Sequence, residues 1–396
     1  MKVGWRQASI GDVCEVINGG TPKTGVSEYW GGQHQWITPA EMGKRNTPYV
    51  NQTERTITNN GLQNSSARLL PPMSVILSSR APIGHLVINT EPMATNQGCK
   101  GLVPQQQIDH KFLYYYLGSI VELLNDLGTG ATFKELSGGK LKEVPIPVPP
   151  LPEQQRIVAL LDEAFDGIAT AKVNAEKNLQ NARAIFESHL QSVFTQGEQG
   201  WSNRKLKEVC DKITDGTHQT PTYFDEGVVF LSSRNVTSRK IDWDKIKYID
   251  EAQHLQMHKR VAPRMGDILL AKNGTTGVAA MVDRNVVFDI YVSLALLRAR
   301  EEILPELLLY FVNSPVAKVQ FNKRLKGTGV PNLHLEEIRE VEISFPTSIS
   351  EQRELLQSLD SIASETQRLE FIYQQKLTPL GELKKSLLHR AFNGDL

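Results

Sequence analysis

The chain has 396 residues, 40% of them hydrophobic and 22% charged, with 44 basic and 44 acidic side chains. At about 150 residues per domain this length predicts two or three domains, and the ordinary composition excludes disordered, collagen-like and disulfide-scaffold classes. By segment the formal charge is +2 for 1–150, −2 for 151–197, +1 for 198–347 and −1 for 348–396. Composition therefore gives no support for a nucleic-acid partner, and any phosphate-facing surface must be a local patch.

Met1 to Val13 lacks the apolar run of a signal peptide, and no later stretch approaches the roughly 18 apolar residues of a membrane span. The cytoplasm is the expected compartment. Cys14, Cys99 and Cys210 have no CxxC spacing and no clustered histidines beside them. They read as small core residues, not as a metal site or a disulfide framework.

From the N-terminus onward the chain is written twice. Trp5, Val13, Cys14, Glu15, Gly20 and Thr21 recur as Trp201, Val209, Cys210, Asp211, Gly216 and Thr217. The tryptophans read as core anchors. Pro72 to Leu77 corresponds to Arg264 to Leu269, each a strand leading into a glycine-containing loop, with Arg80 to Gly84 set against Lys272 to Gly277. The period-two runs Ser74 to Leu77 and Asp267 to Leu270 predict strands among helical stretches, hence mixed α/β domains. Tyr115, Tyr116 and Ser119 match Tyr310, Phe311 and Ser314. Gly128, Thr129 and Gly130 match Gly327, Thr328 and Gly329, read as turns before the next element. Such a repeat means two copies of one unit, each a globular part followed by a long helix.

Pro150 to Pro152 closes the first globular part, and Pro152 with Glu153 suits a helix N-terminus. From there Ile157, Leu161, Ala164, Ile168, Ala171, Ala175, Asn178, Ala182, Ile185 and His189 alternate at four and three residues, as in a coiled-coil seam. Glu153, Gln154, Leu161, Asp162 and Phe194 recur as Glu351, Gln352, Leu359, Asp360 and Phe392. The second seam is Leu355, Leu359, Ile362, Thr366, Leu369, Tyr373, Lys376, Leu380, Leu383 and Leu387, and Pro379 beside Gly381 predicts a kink or interruption near Thr378. Each helix spans roughly 65 Å at about 1.5 Å per residue. The connections suit an antiparallel pair, which would bring residue 396 back towards residue 1 and set two readers on a spacer suited to DNA half-sites roughly 34–36 Å per turn apart. An interaction scaffold unrelated to DNA is the other reading of that geometry.

Catalytic motifs are missing. Gly138-Gly139-Lys140-Leu141 and Lys326-Gly327-Thr328-Gly329 lack the spacing and hydroxyl of a phosphate-binding loop, Leu70-Pro71-Pro72-Met73 lacks the polar and aromatic ends of an amino-methyltransferase tetrapeptide, and no GxSxG or HExxH occurs.

Gly-Gly-Thr-Pro at 19–22, Ser-Ser-Arg-Ala-Pro-Ile-Gly at 78–84, Thr-Asn-Gln-Gly at 95–98 and Pro-Leu-Pro-Glu-Gln-Gln-Arg-Ile at 150–157, within a duplicated chain, form a recognisable pattern. The chain resembles the specificity subunits of type I restriction-modification systems over essentially its whole length. The second copy departs at Ser348-Ile349-Ser350-Glu351-Gln352-Arg353, without leading prolines, and at Asp215-Gly216-Thr217-His218. The resemblance implies an α+β architecture: recognition domains at 1–150 and 198–347, and helical spacers at 151–197 and 348–396 forming an antiparallel coiled coil with a pseudo-twofold repeat. It implies a non-catalytic, double-stranded-DNA-binding chain that reads a two-part target. Such a chain docks two methylation subunits and up to two restriction subunits. S-adenosylmethionine, ATP and Mg would sit on those partners and no cofactor on this chain. A related system whose partner fuses methylation and cleavage is an alternative.

Base edges are read by Arg, Lys, Asn and Gln, while hydroxyls and lysines position the backbone. The candidates in the first domain are Thr21, Lys23, Ser79, Arg80, Asn96, Gln97, Lys100 and Lys134. In the second they are Thr217, His218, Arg234, Asn235, Lys272, Asn273, Thr275, Asn332 and His334. Any of these could instead cap a turn, stabilise a loop or simply be solvated. Leu160, Phe165, Leu179 and Phe186, beside the seam, are candidates for partner docking or for a wider intramolecular core.

Overall fold

A computed structural model describes residues 4–80, 82–130, 134–197, 200–325 and 332–396. The chain divides into two compact units, one made of the residues up to Ala175 with Gln375–Leu396 and the other of Glu176–Gln374. Both divisions fall inside the long helices, Leu151–Gln196 and Ile349–Asn393. Each unit therefore holds one globular part, the first half of the helix that follows it and the last half of the other long helix.

In the first unit a five-stranded sheet runs in the order 14–18, 99–104, 75–79, 83–89 and 49–50, and a three-stranded sheet in the order 56–57, 30–37, 93–95. The second unit repeats this plan, with 210–215, 294–299, 268–271 and 279–281 in one sheet and 247–249, 228–231 and 288–290 in the other. Each smaller sheet contains one parallel pair, Trp36 beside Ala94 and Phe230 beside Asp289. A short ribbon closes each globular part, Arg6–Ser9 against Pro145–Val148 and Trp201–Lys205 against Glu342–Pro346.

The central strands are apolar at consecutive positions because both faces are covered. Val75 and Leu77 point into one core with Phe112, Leu117 and Ile157, while Ile76 points into a second core with Ile37, Val87 and Met93. Ile268 and Leu270 alternate with Leu269 and Ala271 in the same way. All three cysteines are buried, and burial pushes each thiol up to about 12. Trp5 is half-buried against its unit's core and Trp201 is half-buried. Among the described residues, no helix is long and apolar enough to cross a membrane.

The paired helices run antiparallel within each unit. Ile157 and Leu161 share a core with Leu387, Ala391 and Phe392, and Leu190 and Phe194 share one with Leu355 and Leu359. Arg183 donates to Glu370 at 2.8 Å, and Arg156 to the Leu396 carbonyl at 2.8 Å. The seam departs from expectation at Ala171, which is exposed, and after Ala182, where Ile185 is exposed and the face packed on the core becomes half-buried Phe186 with Leu190 and Phe194. A straight helix with 3.6 residues per turn drifts by about 20° per heptad from a strict 3.5 repeat, which carries the contact face past Ile185 and His189. Leu383 is exposed, while Leu387, Leu388 and Ala391 face the core.

The interruption expected near Thr378 does not occur, since the helix continues through Pro379. Pro379 and Gly381 are exposed; the proline removes one backbone hydrogen bond and crowds the carbonyl four residues earlier, which a helix can take up by bending without ending. Gly128–Gly130 follows the helix Val121–Leu127, with Gly130 at φ +131°. Its counterpart at Gly327, Thr328 and Gly329, with Lys326, lies outside the described residues.

The repeated Glu-Gln motif has a plain physical role. Gln154 is fully buried; its amide donates to the carbonyls of Gln107 (2.9 Å) and Pro149 (2.8 Å) and its Oε1 accepts the Asp109 N–H (2.8 Å). Gln352 repeats this with the carbonyls of Glu302 and Pro346 and the N–H of Leu304. Each glutamine ties the first turn of a long helix to two loops of its own globular part. Gln154→Ala strands three backbone groups, each worth about 1–3 kcal/mol when left unpaired. Urea unfolding should show a loss of at least about 3 kcal/mol. Gln154→Glu, unable to donate twice, should lose as much; a change near zero in both variants would refute the clamp.

Candidate nucleic-acid interface

The candidate residues gather where the large sheet's strands end in glycine-containing loops. Two glycines let these loops close up, because a Cβ on Gly19 would lie 2.0 Å from the Asn96 carbonyl oxygen and one on Gly216 would lie 1.8 Å from that of Ile290. The loops are then stitched alike: Gly20 N–H donates to Thr95 (2.9 Å), and Thr217 N–H to Ile290 (3.0 Å).

The backbone also sets the register between the copies. Ser79 N–H bonds to Gly98 and its carbonyl accepts from Leu136; Lys272 N–H bonds to Ser293 and its carbonyl accepts from Leu333. Ser79 thus occupies the place of Lys272, and Arg80 the place of Asn273, their bridge partners being Glu135 and Asn332. The sequence reading that set Arg80 against Lys272 is one residue out. A shift of one residue in a strand exchanges the faces, which is why the two side chains differ so much in exposure.

In the first unit Thr21 Oγ1 accepts from the Asn96 amide (3.0 Å) and the Gln97 N–H (3.4 Å), and Asn96 Oδ1 accepts from Gly98 N–H (2.8 Å). Asn96 is thereby committed to the loop. Arg80, half-buried, lies 3.5 Å from Glu135, and Lys100, buried, lies 4.0 Å from the same carboxylate. Burial holds the Lys100 ammonium below its ordinary pKa, partly countered by Glu135. Ser79 Oγ is buried and has no hydrogen-bond partner among the described residues. Lys23, Gln97 and Lys134 are exposed, with Lys134 Nζ 3.5 Å from the Asn125 carbonyl, away from the Thr21 cluster's contacts.

In the second unit the turn Lys272–Asn273 separates two clefts. One, of about 710 Å³, is lined by Asp215, His218, Arg260, Lys272, Asn332, His334 and Arg339 among others. The other, of about 680 Å³, contains Tyr223, Arg234, Lys245, Lys247, Asn273 and Tyr291, with Asp242 its carboxylate. Arg234, His218, Thr275 and His334 are exposed, and Thr217, Asn273 and Asn332 half-buried. Asn235 is buried, taking the Ser232 N–H and donating to the carbonyls of Asp242 and Lys245, so it shapes the loop beneath Arg234.

Asp215 anchors the first cleft. Lys272 Nζ lies 2.5 Å and Arg260 Nη2 2.8 Å from its oxygens, and His218 Nε2 lies 3.3 Å away. Burial pushes the carboxyl up, but the hydrogen bonds from Lys272 and Arg260 outweigh it and hold Asp215 below the ordinary carboxylate range. Sequence reasoning passed over Tyr223, Lys245, Lys247, Arg260 and Tyr291. The density of basic residues from Arg234 to Lys247 was a usable signal; the stacking of Lys247 on Tyr223, 3.8 Å from the ring centroid, was not.

Of the helix candidates, Phe165 packs edge-on against Tyr115 and Phe186 against Tyr310, both against their own unit's core. Leu160 is exposed and Leu179 half-buried.

A family model described as the type I restriction modification DNA specificity domain matches residues 2–180 and again 198–375. The chain belongs to this family. The MjaIX type I restriction enzyme specificity subunit of Methanocaldococcus jannaschii is 28% identical across 99% of this chain and 93% of that protein. Two solved structures share the fold at 20% identity. One is a chain from work on complex assembly and conformational transition of the type I R-M system (TM-score 0.81, covering 100% of this chain and 99% of that one). The other is the HsdS subunit from Thermoanaerobacter tengcongensis (TM-score 0.66, 100% and 98%).

Within this specificity-domain chain, Asp215 also makes a pH prediction. Its folded pKa lies below the unfolded value of about 3.9, so its contribution is complete above that value and is lost as pH falls through the folded one. Replacing one member of a buried pair costs about 3–5 kcal/mol. Asp215→Asn should therefore be clearly less stable than the parent by urea unfolding at neutral pH, and the gap should close below about pH 4. A gap that widens on acidification would contradict the assignment.

Proposed function

We propose that this chain is the DNA-reading specificity subunit of a type I restriction-modification enzyme and performs no catalysis itself. Residues 1–150 and 198–347 act as two readers, each for one half of a split duplex target, and residues 151–197 and 348–396 act as the helical spacers. The observation that carries the reading is the shared backbone frame at the two loop clusters, furnished with different polar side chains. A common frame presents each loop to DNA in the same way, while Arg80 with Gln97 on one copy and Arg234, His218 and Asn273 on the other offer different donors and acceptors to base edges.

The second cleft of unit two, with three cations against one carboxylate, suits phosphate, and Tyr223 and Tyr291 add apolar contact surface there. Lys23 and Lys134 are assigned to phosphate in the first copy, and Thr21, Thr217, Thr275, Asn332 and His334 to backbone positioning or base contact at the rims. Ser79, Asn96, Lys100, Asn235 and Lys272 act by holding the loops. The long helices dock two methylation subunits and up to two restriction subunits, with Leu160 and Leu179 among the contacts. S-adenosylmethionine, ATP and Mg belong to those partners, and the compartment is the cytoplasm.

Coexpression with the methylation subunit in a methylation-free host, followed by mapping of N6-methyladenine, should return two short half-sites around a fixed unspecified gap. An uninterrupted motif would reject two readers, and no methylation by a stable active complex would reject the DNA role. Arg80→Ala should relax one half-site and Arg234→Ala the other, by about 1–3 kcal/mol of discrimination each. Equal weakening on all DNA sequences would confine both residues to phosphate.

A further inference from the structure

The second unit buries three aspartates, Asp215, Asp267 and Asp289. Two are neutralised by permanent cations: Asp215 by Lys272 and Arg260, and Asp267 by Arg298 at 2.7 and 2.8 Å. Asp289, 2% exposed, has a different environment. One carboxylate oxygen lies 2.7 Å from His254 Nδ1 and the other 3.1 Å from His258 Nδ1. A carboxylate taken out of water is costly to leave without a counter-charge, and the contacts to Asp289 come from two imidazoles where the other two aspartates have a lysine or an arginine.

The geometry suggests what would supply it. His254 and His258 stand four residues apart on and just after the helix Glu251–Met257, so both rings project on one side, 4.7 Å apart. Asp289 reaches the same point from the strand Phe288–Ile290, and ligand atoms of all three residues lie within 4.8 Å of one another. Tetrahedral zinc, with bonds of about 2.0–2.2 Å, holds neighbouring donor atoms about 3.3 Å apart. The two nitrogens sit on different oxygens of one carboxylate, so a rotation of that carboxylate and closure of the trio from within 4.8 Å to this spacing would admit the ion.

We propose that His254, His258 and Asp289 form a site for a divalent transition ion of the zinc type, two nitrogens and one oxygen from the protein with water completing the coordination. The donor set suits Zn²⁺, Co²⁺ or Ni²⁺ and disfavours Mg²⁺ and Ca²⁺, which take oxygen ligands. Its place in the fold gives it a structural effect. Gln253, beside His254, exchanges two hydrogen bonds with the backbone of Thr222, and Ile290, beside Asp289, accepts from Thr217. An ion at this point would brace the helix and the strand behind two loop segments that border the clefts, Thr217 with His218 and Thr220 with Tyr223.

The test is titration of the untagged, chelator-stripped full chain with Co²⁺ and with Zn²⁺. The expected result is one saturable equivalent, a visible Co²⁺ band of a four-coordinate nitrogen and oxygen site, and a raised melting temperature. His258→Gln keeps a donor for Asp289 and so should keep the fold, checked by circular dichroism. It should weaken binding by at least about 100-fold, since even outer-sphere partners are worth about 10–100-fold. His254→Gln should do the same. No saturable binding by the folded parent, or binding undiminished in both folded variants, overturns the proposal and leaves the trio as a hydrogen-bonded stitch between helix and strand.

Discussion

The architecture depends on one buried side chain used twice. Gln154 and Gln352 each satisfy two backbone carbonyls and one backbone N–H in an interior where those groups have no water. Glutamine fits because it is neutral and offers both donor and acceptor; a glutamate would present only acceptors to the carbonyls, and a leucine would leave all three groups unpaired. A second tie follows two turns later. Tyr115 donates to Asp162 and Tyr310 donates to Asp360, and burial, then these carboxylates, raise both phenols above their usual pKa. The two ties fix both the entry point and the rotation of each long helix against its own globular part. A merely hydrophobic contact would resist neither sliding nor rolling as strongly, because it lacks direction.

With the helix fixed, the rims of the sheets are free to differ. Side chains inside the strands are constrained from both faces, whereas those at the strand ends need only allow the turn. In the first copy the position below the loop is Ser79, beside Lys100 and Glu135; in the second it is Lys272, paired with Asp215. The same backbone bonds survive the exchange of a neutral group for a buried ion pair. That pair is better understood as a choice of local specificity than as a source of stability, since well-packed apolar replacements for such pairs are often as stable.

Much of this was legible in the chain because it is duplicated. Each match at nearly constant spacing reported two positions at once; the strands 75–79 and 268–271 fall where the period-two reading put them, although their burial is consecutive and not alternating. Other features depend on three-dimensional facts that residue type does not encode. Lys272 and Asn235 have the chemistry of DNA readers and the burial of structural residues. The heptad seam was extrapolated past Ala182, where helical drift had already moved the buried face to Phe186. At Pro379 the sequence suggested a kink or an interruption, and the continuous helix excludes the interruption. His254 and His258 escaped notice because their meaning comes from Asp289, distant in sequence and adjacent across the helix–strand contact.

The zero net charge resolves in the same terms. Asp267 with Arg298 cancels locally, whereas Asp215 with Lys272 and Arg260 leaves one positive charge in excess at the first cleft. In the cleft beside Tyr223 the balance is Arg234, Lys245 and Lys247 against Asp242, which is what a phosphate placed there would meet. On the proposed reading, such a cleft would focus the attraction for an anionic partner locally without a basic chain, at the loops proposed to discriminate among sequences. A uniformly basic surface would bind DNA of any sequence more tightly and so reduce the margin by which two short half-sites stand out from the rest.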